Sequence, residues 1–218
     1  MIEIAIDGTA ASGKGTLAKN LSEVYGYPHL DTGLMYRAVA YNLLSCGYEI
    51  HQDLSTLSCK IANELNWVEL TPQNLRSEKI ASMASKIATF SELRNILKFK
   101  QIDFANESKH RFGGCILDGR DIGTVILPNA NYKFFITASI EVRAARRMLE
   151  KNITYLHEKD DECMLQTLIN DMHERDKLDM SRSSSPLKAS KDARVIDTSN
   201  IDANELTSLA IKIIEGKN

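Results

Sequence analysis

At 218 residues, with 43% hydrophobic and 26% charged residues, the chain has the composition of an ordinary globular protein with one sizeable core, which excludes disorder and fibrous repeats. A formal net charge of −2 removes any general electrostatic attraction to nucleic acid, so an anion bound by this chain must be gripped locally. Cys46, Cys59, Cys115 and Cys163 lie far apart with no Cys-x-x-Cys pair, which points away from zinc and from a disulfide framework and towards a reducing cytoplasm. The opening Met1-Ile2-Glu3-Ile4-Ala5-Ile6-Asp7 lacks the basic start of a signal peptide, and no apolar stretch approaches membrane-spanning length.

In chain order, Ile2 to Ile6 is an apolar, β-branched run bounded by Asp7-Gly8 and reads as a buried strand. A helix is expected from about Gly13, with Leu17, Leu21 and Val24 on its apolar stripe and Gly26 at its stop. After a turn signal at Asp31-Thr32-Gly33, Met35, Val39, Leu43 and Leu44 trace a second helix that ends near Gly47. The stretch from Tyr48 to Phe90 is more polar, with one strand-like piece, Trp67 to Leu70, between segments of helical period, and reads as an inserted subdomain. Gly114 to Asp118, Tyr132 to Thr137 and Ala193 to Asp197 are further buried-strand candidates, the last two followed by helical patterns. Strands alternating with helices predict an α/β fold with a parallel sheet covered on both faces and ligands at the carboxyl ends of the strands.

Chemistry concentrates in a few places. Gly8-Thr9-Ala10-Ala11-Ser12-Gly13-Lys14 has the Gly-x4-Gly-Lys spacing between an expected strand and an expected helix. Glycines let the backbone curl with its N–H groups inward, the helix N-terminus attracts polyphosphate, and Lys14 reaches the outer phosphates. Gly15 stands where the strict pattern has Ser or Thr, so Thr16 follows one place late, which leaves open whether it meets magnesium directly or through water. Cys115 to Asp118 has the form of a hydrophobic strand ending in the carboxylate that sits beside magnesium in such enzymes; an Asp at a strand end is also a common turn or cap residue. Arg37 and Arg120 follow closely on expected strand ends. The spacing of Arg175, Asp179 and Arg182 puts them on one helix face, as an intrahelical ion-pair ladder or as a lid that closes over phosphates. His29, His51, His110, His157 and His173 are scattered without ligand spacing and read as surface or cap residues.

Five blocks in order resemble the bacterial cytidylate kinases, within the adenylate-kinase-like group of nucleoside monophosphate kinases. They are Ile6 to Thr16, Leu30 to Arg37, Ala84-Ser85 with Phe90 and Arg94, Asp118 to Thr124, and Glu174-Arg175-Asp176 with Asp179 and Arg182. The resemblance implies a P-loop three-layer fold with a central five-stranded parallel sheet. Its core would span 1–47 and 105–218 with a helical lid at about 176–190, and a reduced nucleoside-monophosphate-binding insert would span 48–104. It implies transfer of the γ-phosphoryl group of ATP to CMP or dCMP with Mg2+, by a cytoplasmic monomer that binds neither nucleic acid nor membrane.

By the same resemblance, Gly8 through Thr16 would hold ATP, and Thr16 and Asp118 would serve magnesium. Ser85, Arg94 and Asp121 would surround the cytosine. Arg37 and Arg120, helped by Thr32 and Tyr36, would hold the acceptor phosphate, while Arg175, Asp179 and Arg182 would reach ribose and phosphates. Lys14, Arg120, Arg175 and Arg182 would carry catalysis. The insert is about one β-hairpin shorter than is usual, and Leu178 and Met180 stand where relatives often carry charge. Rival readings are a P-loop kinase for UMP, AMP or an alcohol, the last needing a carboxylate base, and a nucleotide-dependent switch; an Asn-Lys-x-Asp guanine motif is absent.

Overall fold

The computed structural model describes residues 1–51, 53–65, 75, 77–150, 158–182 and 185–216. Five parallel strands form one sheet in the order β2-β3-β1-β4-β5: β1 Ile2–Gly8, β2 His29–Asp31, β3 Gly114–Gly119, β4 Tyr132–Thr137 and β5 Arg194–Asp197. β1 is central because it is apolar on both faces, Ile4, Ala5 and Ile6 all being fully buried. Ile4 and Ile6 point to one side, where they meet Ile116, Phe134 and Ile136 of the neighbouring strands and the stripes of α1 (Lys14–Tyr25) and α8 (Ala203–Ile214). Ala5, Cys115 and Leu117 point to the other side, against Ala105 of α5 (Ser91–Phe112) and Ile122 and Ile126 of a π-helical turn, Ile122–Ile126.

Most strand expectations match within a residue or two. β2 matches the strand end expected just before Arg37, but its residues are not delimited by the sequence, because three residues are too few to show a period. The Asp31-Thr32-Gly33 turn signal is the start of α2 (Thr32–Ser45), whose Asp31 cap accepts a hydrogen bond from the Gly33 amide at 3.0 Å. A second apolar cluster joins α2 to α3 (Ser55–Glu64), α4 (Glu78–Ile87) and the first half of α5. Leu93 and Leu97 of α5 belong to this cluster, while Ala105 packs against the sheet, so a single unbroken helix crosses residue 104 and ties the two clusters together. The strand-like piece Trp67 to Leu70 lies outside the described residues. α6 (Ile140–Glu150) and α7 (Glu158–Ser181) lie against each other after β4. Among the described residues no helix is long and apolar enough to cross a membrane.

The sheet fixes one glycine on steric grounds. A Cβ on Gly8 would lie 2.1 Å from the backbone oxygen of Ile136 on β4, and neither backbone can yield without unpairing strands. Gly8→Ala should therefore destabilise the fold by ~3 kcal/mol or more, the upper end of overpacking costs, which denaturant unfolding would measure.

Candidate functional site

Strands β1 and β3 run parallel with Ile6 opposite Asp118 and Asp7 opposite Gly119, so the loops that leave their carboxyl ends emerge side by side. Residues from both loops line a cleft of about 310 Å³, at the lower end of the small-molecule range. One side is the loop Ala10 to Thr16. Gly13 (φ 95) starts α1 without a side-chain cap, and Ala11 also has positive φ (56), so the backbone curls and its first-turn amides await an anion. From behind, Ser12 donates to the Thr9 carbonyl at 2.9 Å and Thr198 to the Ser12 carbonyl at 2.8 Å. Gly8 and Thr9 do not line the cleft: Gly8 makes the close strand contact, and the buried Thr9 hydroxyl has no hydrogen-bond partner among the described residues.

Lys14 projects from this turn to 3.6 Å from Asp118 Oδ2. Burial and then the Arg120 guanidinium push the Lys14 ammonium below the usual lysine range, against the pull of Asp118 and Asp31. Asp118 is 1% exposed; burial opposes its charge, but the His29 hydrogen bond and Lys14 hold its carboxyl below the ordinary value. His29 Nε2 lies 2.7 Å from Asp118 Oδ1, which corrects the expectation that this histidine is a surface or cap residue. It sits on the short β2, opposite Ile116, and the pairing turns it towards the end of β3.

The second side comes from α2, α4, α5 and the loop after β3. Arg94 Nη2 donates to Asp121 Oδ2 at 2.7 Å, both groups nearly buried, and the Arg94 guanidinium stands 6.0 Å from the Tyr36 ring centre. Ser85 lines the cleft, and its hydroxyl is buried and has no hydrogen-bond partner among the described residues, as a group that meets a ligand would be. Burial pushes the Tyr36 phenol up to about 12, so it stays a neutral donor. Arg37 lines the cleft and donates to the Leu75 carbonyl at 2.9 Å, while the Thr32 hydroxyl donates to the Asp118 carbonyl at 2.8 Å and so braces β3.

The third side is the end of α7. Arg175, Asp179 and Arg182 share a face, and Asp179 joins both readings of that spacing: it pairs with Arg182 along the chain and, at 2.8 Å, with Arg120 Nε across the cleft. Burial opposes the Asp179 charge, but Arg120, Arg182 and Arg175 together hold its carboxyl below the usual range. Burial and the neighbouring Arg120 push Arg175 down to about 10, and its buried Nε has no hydrogen-bond partner among the described residues. Leu178 and Met180 face solvent, half exposed, and so do not alter the charge inside the cleft.

Sequence reasoning assigned no role to several groups that hold this site. Arg143 pairs with Asp176 at 2.7 Å, donates to the Ala138 carbonyl at 3.0 Å and reaches the Ala10 carbonyl at 3.4 Å, tying the end of α7 to the glycine loop. Arg146 donates to the Thr198 hydroxyl and carbonyl at 2.9 and 2.6 Å. Asp7, 4% exposed, accepts from the amides of Ile122 and Gly123, both at 2.7 Å. Adjacent arginines in the sequence were the available signal for Arg143 and Arg146; Asp7 had none.

An anion-binding loop, a partly buried lysine and arginines arriving from three directions around an acidic floor define a P-loop phosphotransferase. The cytidylate kinase family model matches residues 4–216, and the chain belongs to that family. It is 43% identical over 212 residues to a cytidylate kinase of Methylocella silvestris, covering 97% of this chain and 93% of the relative, and 42% identical over 212 residues to that of Bartonella bacilliformis, covering 97% and 94%. A solved structure of an uncharacterised protein from Eubacterium ventriosum shares the fold, with a TM-score of 0.56 at 16% identity over 99% of both chains.

Burial pushes the Asp7 carboxyl up to about 7 from 3.8, against the two amide hydrogen bonds that lower it. The folded state thus holds a proton that the unfolded chain releases, so this group's contribution to stability is complete below 3.8 and is lost as the pH rises through about 7. Asp7→Asn cannot ionise and should lack that decline. Thermal melts should show the variant gaining on the natural protein between about pH 5 and about pH 8.

Proposed function

We propose that this chain transfers the γ-phosphoryl group of ATP to CMP or dCMP, yielding ADP and CDP or dCDP. The observation that carries the reading is the Arg94–Asp121 pair, nearly buried at 2.7 Å on one side of a cleft whose other side is the glycine loop. Cytosine offers an exocyclic amine that the Asp121 carboxylate accepts, whereas uracil presents a carbonyl there; Ser85 and Arg94 supply further donors to the ring. A site that leaves a buried polar group unpaired when the wrong base enters discriminates strongly.

The acceptor is a phosphate oxygen already ionised at neutral pH, so no general base is needed and the task is alignment and neutralisation of charge. The first-turn amides of α1 and Lys14 hold the donor phosphates. Arg37 and Arg120, with Tyr36 and Thr32 beside them, hold the acceptor phosphate. Arg120, Arg175 and Arg182 face the transferring group, and Asp179 keeps Arg120 and Arg182 oriented and reaches the ribose. The donor set suits a hard cation that arrives on ATP: Thr16 lines the cleft, and Asp118 Oδ2 lies 3.9 Å from where a Gly15 Cβ would stand. Bound Mg2+ would be held by the Thr16 hydroxyl and by Asp118, directly or through water, and would offset the charge of the phosphates.

Residues 48–104 would close as the monophosphate-binding insert over the base and about 176–190 as the lid over the phosphates, excluding water from the phosphoryl group. One chain supplies every group named, so a monomer suffices, and four free cysteines suit the cytoplasm.

Lys14→Ala should lower kcat by ~10²-fold or more with an unchanged far-ultraviolet spectrum; near-normal turnover would remove the glycine loop from the mechanism. In a coupled assay with ATP against CMP, dCMP, UMP, AMP, GMP and shikimate, CMP and dCMP should give the highest kcat/KM. Asp121→Ala should cut the preference for CMP over UMP by ~10-fold or more, and an unchanged preference would mean that other groups read the base.

A further inference from the structure

The start of the π-helical turn after β3 departs from the usual way a helix begins. Asp121 occupies its N-cap position, where an aspartate ordinarily turns its own carboxylate back onto the first amides of the helix. It makes no such bond. Its carboxylate instead meets Arg94 at the cleft, and the amides of Ile122 and Gly123 are taken by Asp7, whose two oxygens each accept one at 2.7 Å. These partners are 115 and 116 residues apart in the chain.

We propose that Asp7 is a positioning residue for the acceptor site: by clamping the backbone of Ile122 and Gly123 it frees the Asp121 carboxylate to face the base and fixes Arg120 and Asp121 against the donor loop that begins at Gly8. Asp7 does not line the cleft, so it acts through its neighbours rather than on a substrate. It is the last residue before the glycine loop, and it lies opposite Gly119 in the register of β1 with β3. Arg120 makes a second tie between the same two loops, its Nη1 donating to the Gly8 carbonyl at 2.6 Å. The clamp is close-fitting on its far side: a Cβ on Gly123 would stand 3.3 Å from Lys133 Cδ and 3.4 Å from Asp7 Oδ2. The turn it anchors bonds around Asp121, whose carbonyl accepts from the amides of Val125 and Ile126 at 2.9 and 3.2 Å. Moving the Ile122 and Gly123 amides therefore moves Asp121. Two oxygen acceptors are what the geometry requires: both oxygens of a carboxyl can accept, whereas a carboxamide of the same shape turns one acceptor into a donor aimed at an N–H.

The inference rests on the proposed placement of Asp121 and Arg120 at CMP, and the experiment separates the two. Asp7→Asn, Gly123→Ala and Asp121→Ala are assayed beside the natural protein at about pH 8, where the Asp7 carboxyl is ionised. For Asp7→Asn the KM for CMP should rise by ~10-fold and the ratio of kcat/KM for CMP over UMP should fall by a similar factor, with the KM for ATP changed by less than ~3-fold. Gly123→Ala, which crowds the same clamp from its other side, should move the same two quantities in the same direction by a smaller factor. If Asp7→Asn does not fold, Gly123→Ala decides. Unchanged CMP affinity and base preference overturn the proposal, as does an equal rise in KM for CMP and ATP, which would mark a merely structural residue. If Asp121→Ala itself leaves the CMP parameters untouched, the acceptor assignment falls; if it alters them and neither clamp variant does, only the role of Asp7 falls.

Discussion

Parallel pairing of β1 with β3, with Ile6 opposite Asp118 and Asp7 opposite Gly119, is the constraint on which the site depends. Two chain segments more than a hundred residues apart leave the sheet at the same level, one as the glycine loop and the other as the Arg120-Asp121 turn. The pairing is secured by side chains that have no role in chemistry. Ile4, Ile6 and Ile116 bury one face and Ala5, Cys115 and Leu117 the other. A slip by one residue would exchange those faces and carry every group at the carboxyl ends to the wrong place.

The cleft collects cations that would repel one another if they were left unpartnered in a buried setting. Burial and mutual repulsion push Lys14 and Arg175 below their ordinary ranges, and each carboxylate at the cleft offsets part of that cost. Asp118 faces Lys14, Asp179 bridges Arg120 and Arg182, and Asp121 faces Arg94. Removing one partner of a buried pair typically costs ~3–5 kcal/mol, so these aspartates hold the arginines in place before any phosphate arrives. A phosphate-bearing ligand then meets groups already oriented, the condition under which electrostatic stabilisation of a transferring phosphoryl group is most effective. The buried atoms Ser85 Oγ and Arg175 Nε, without a hydrogen-bond partner among the described residues, lie in this same region, which is where a ligand would satisfy them.

The glycine loop was legible in the residues because its chemistry is local: Gly8, Gly13 and Lys14 act through spacing within one turn, between a strand and a helix that their own periods announce. Asp118, Arg120, Asp121, Arg175, Asp179 and Arg182 were legible through block order and their positions at element ends, and all but Asp118 line the cleft. Cys115 to Asp118 ended its strand as read, but that Asp118 is shared by His29 and Lys14 could not be read, since His29 belongs to a strand of three residues and reaches Asp118 across 89 positions. Asp7 read as the boundary of a strand, although it holds two amides on a distant turn. Arg143 read as one arginine in a charged helix, although it ties α7 to the glycine loop.

From the residues alone follow the class of fold and the phosphate loop, because those rest on short-range period and spacing; the charged groups expected at the site came through the resemblance of five ordered blocks to a known family. The partners of those groups came only with the folded chain. Whether Asp121 caps its own helix or faces Arg94, whether His29 meets solvent or Asp118, and what holds the Ile122 and Gly123 amides are settled by contacts between segments that only sheet register brings together. A side chain's neighbours across a hundred residues are set by packing of the whole, and no local pattern carries that information.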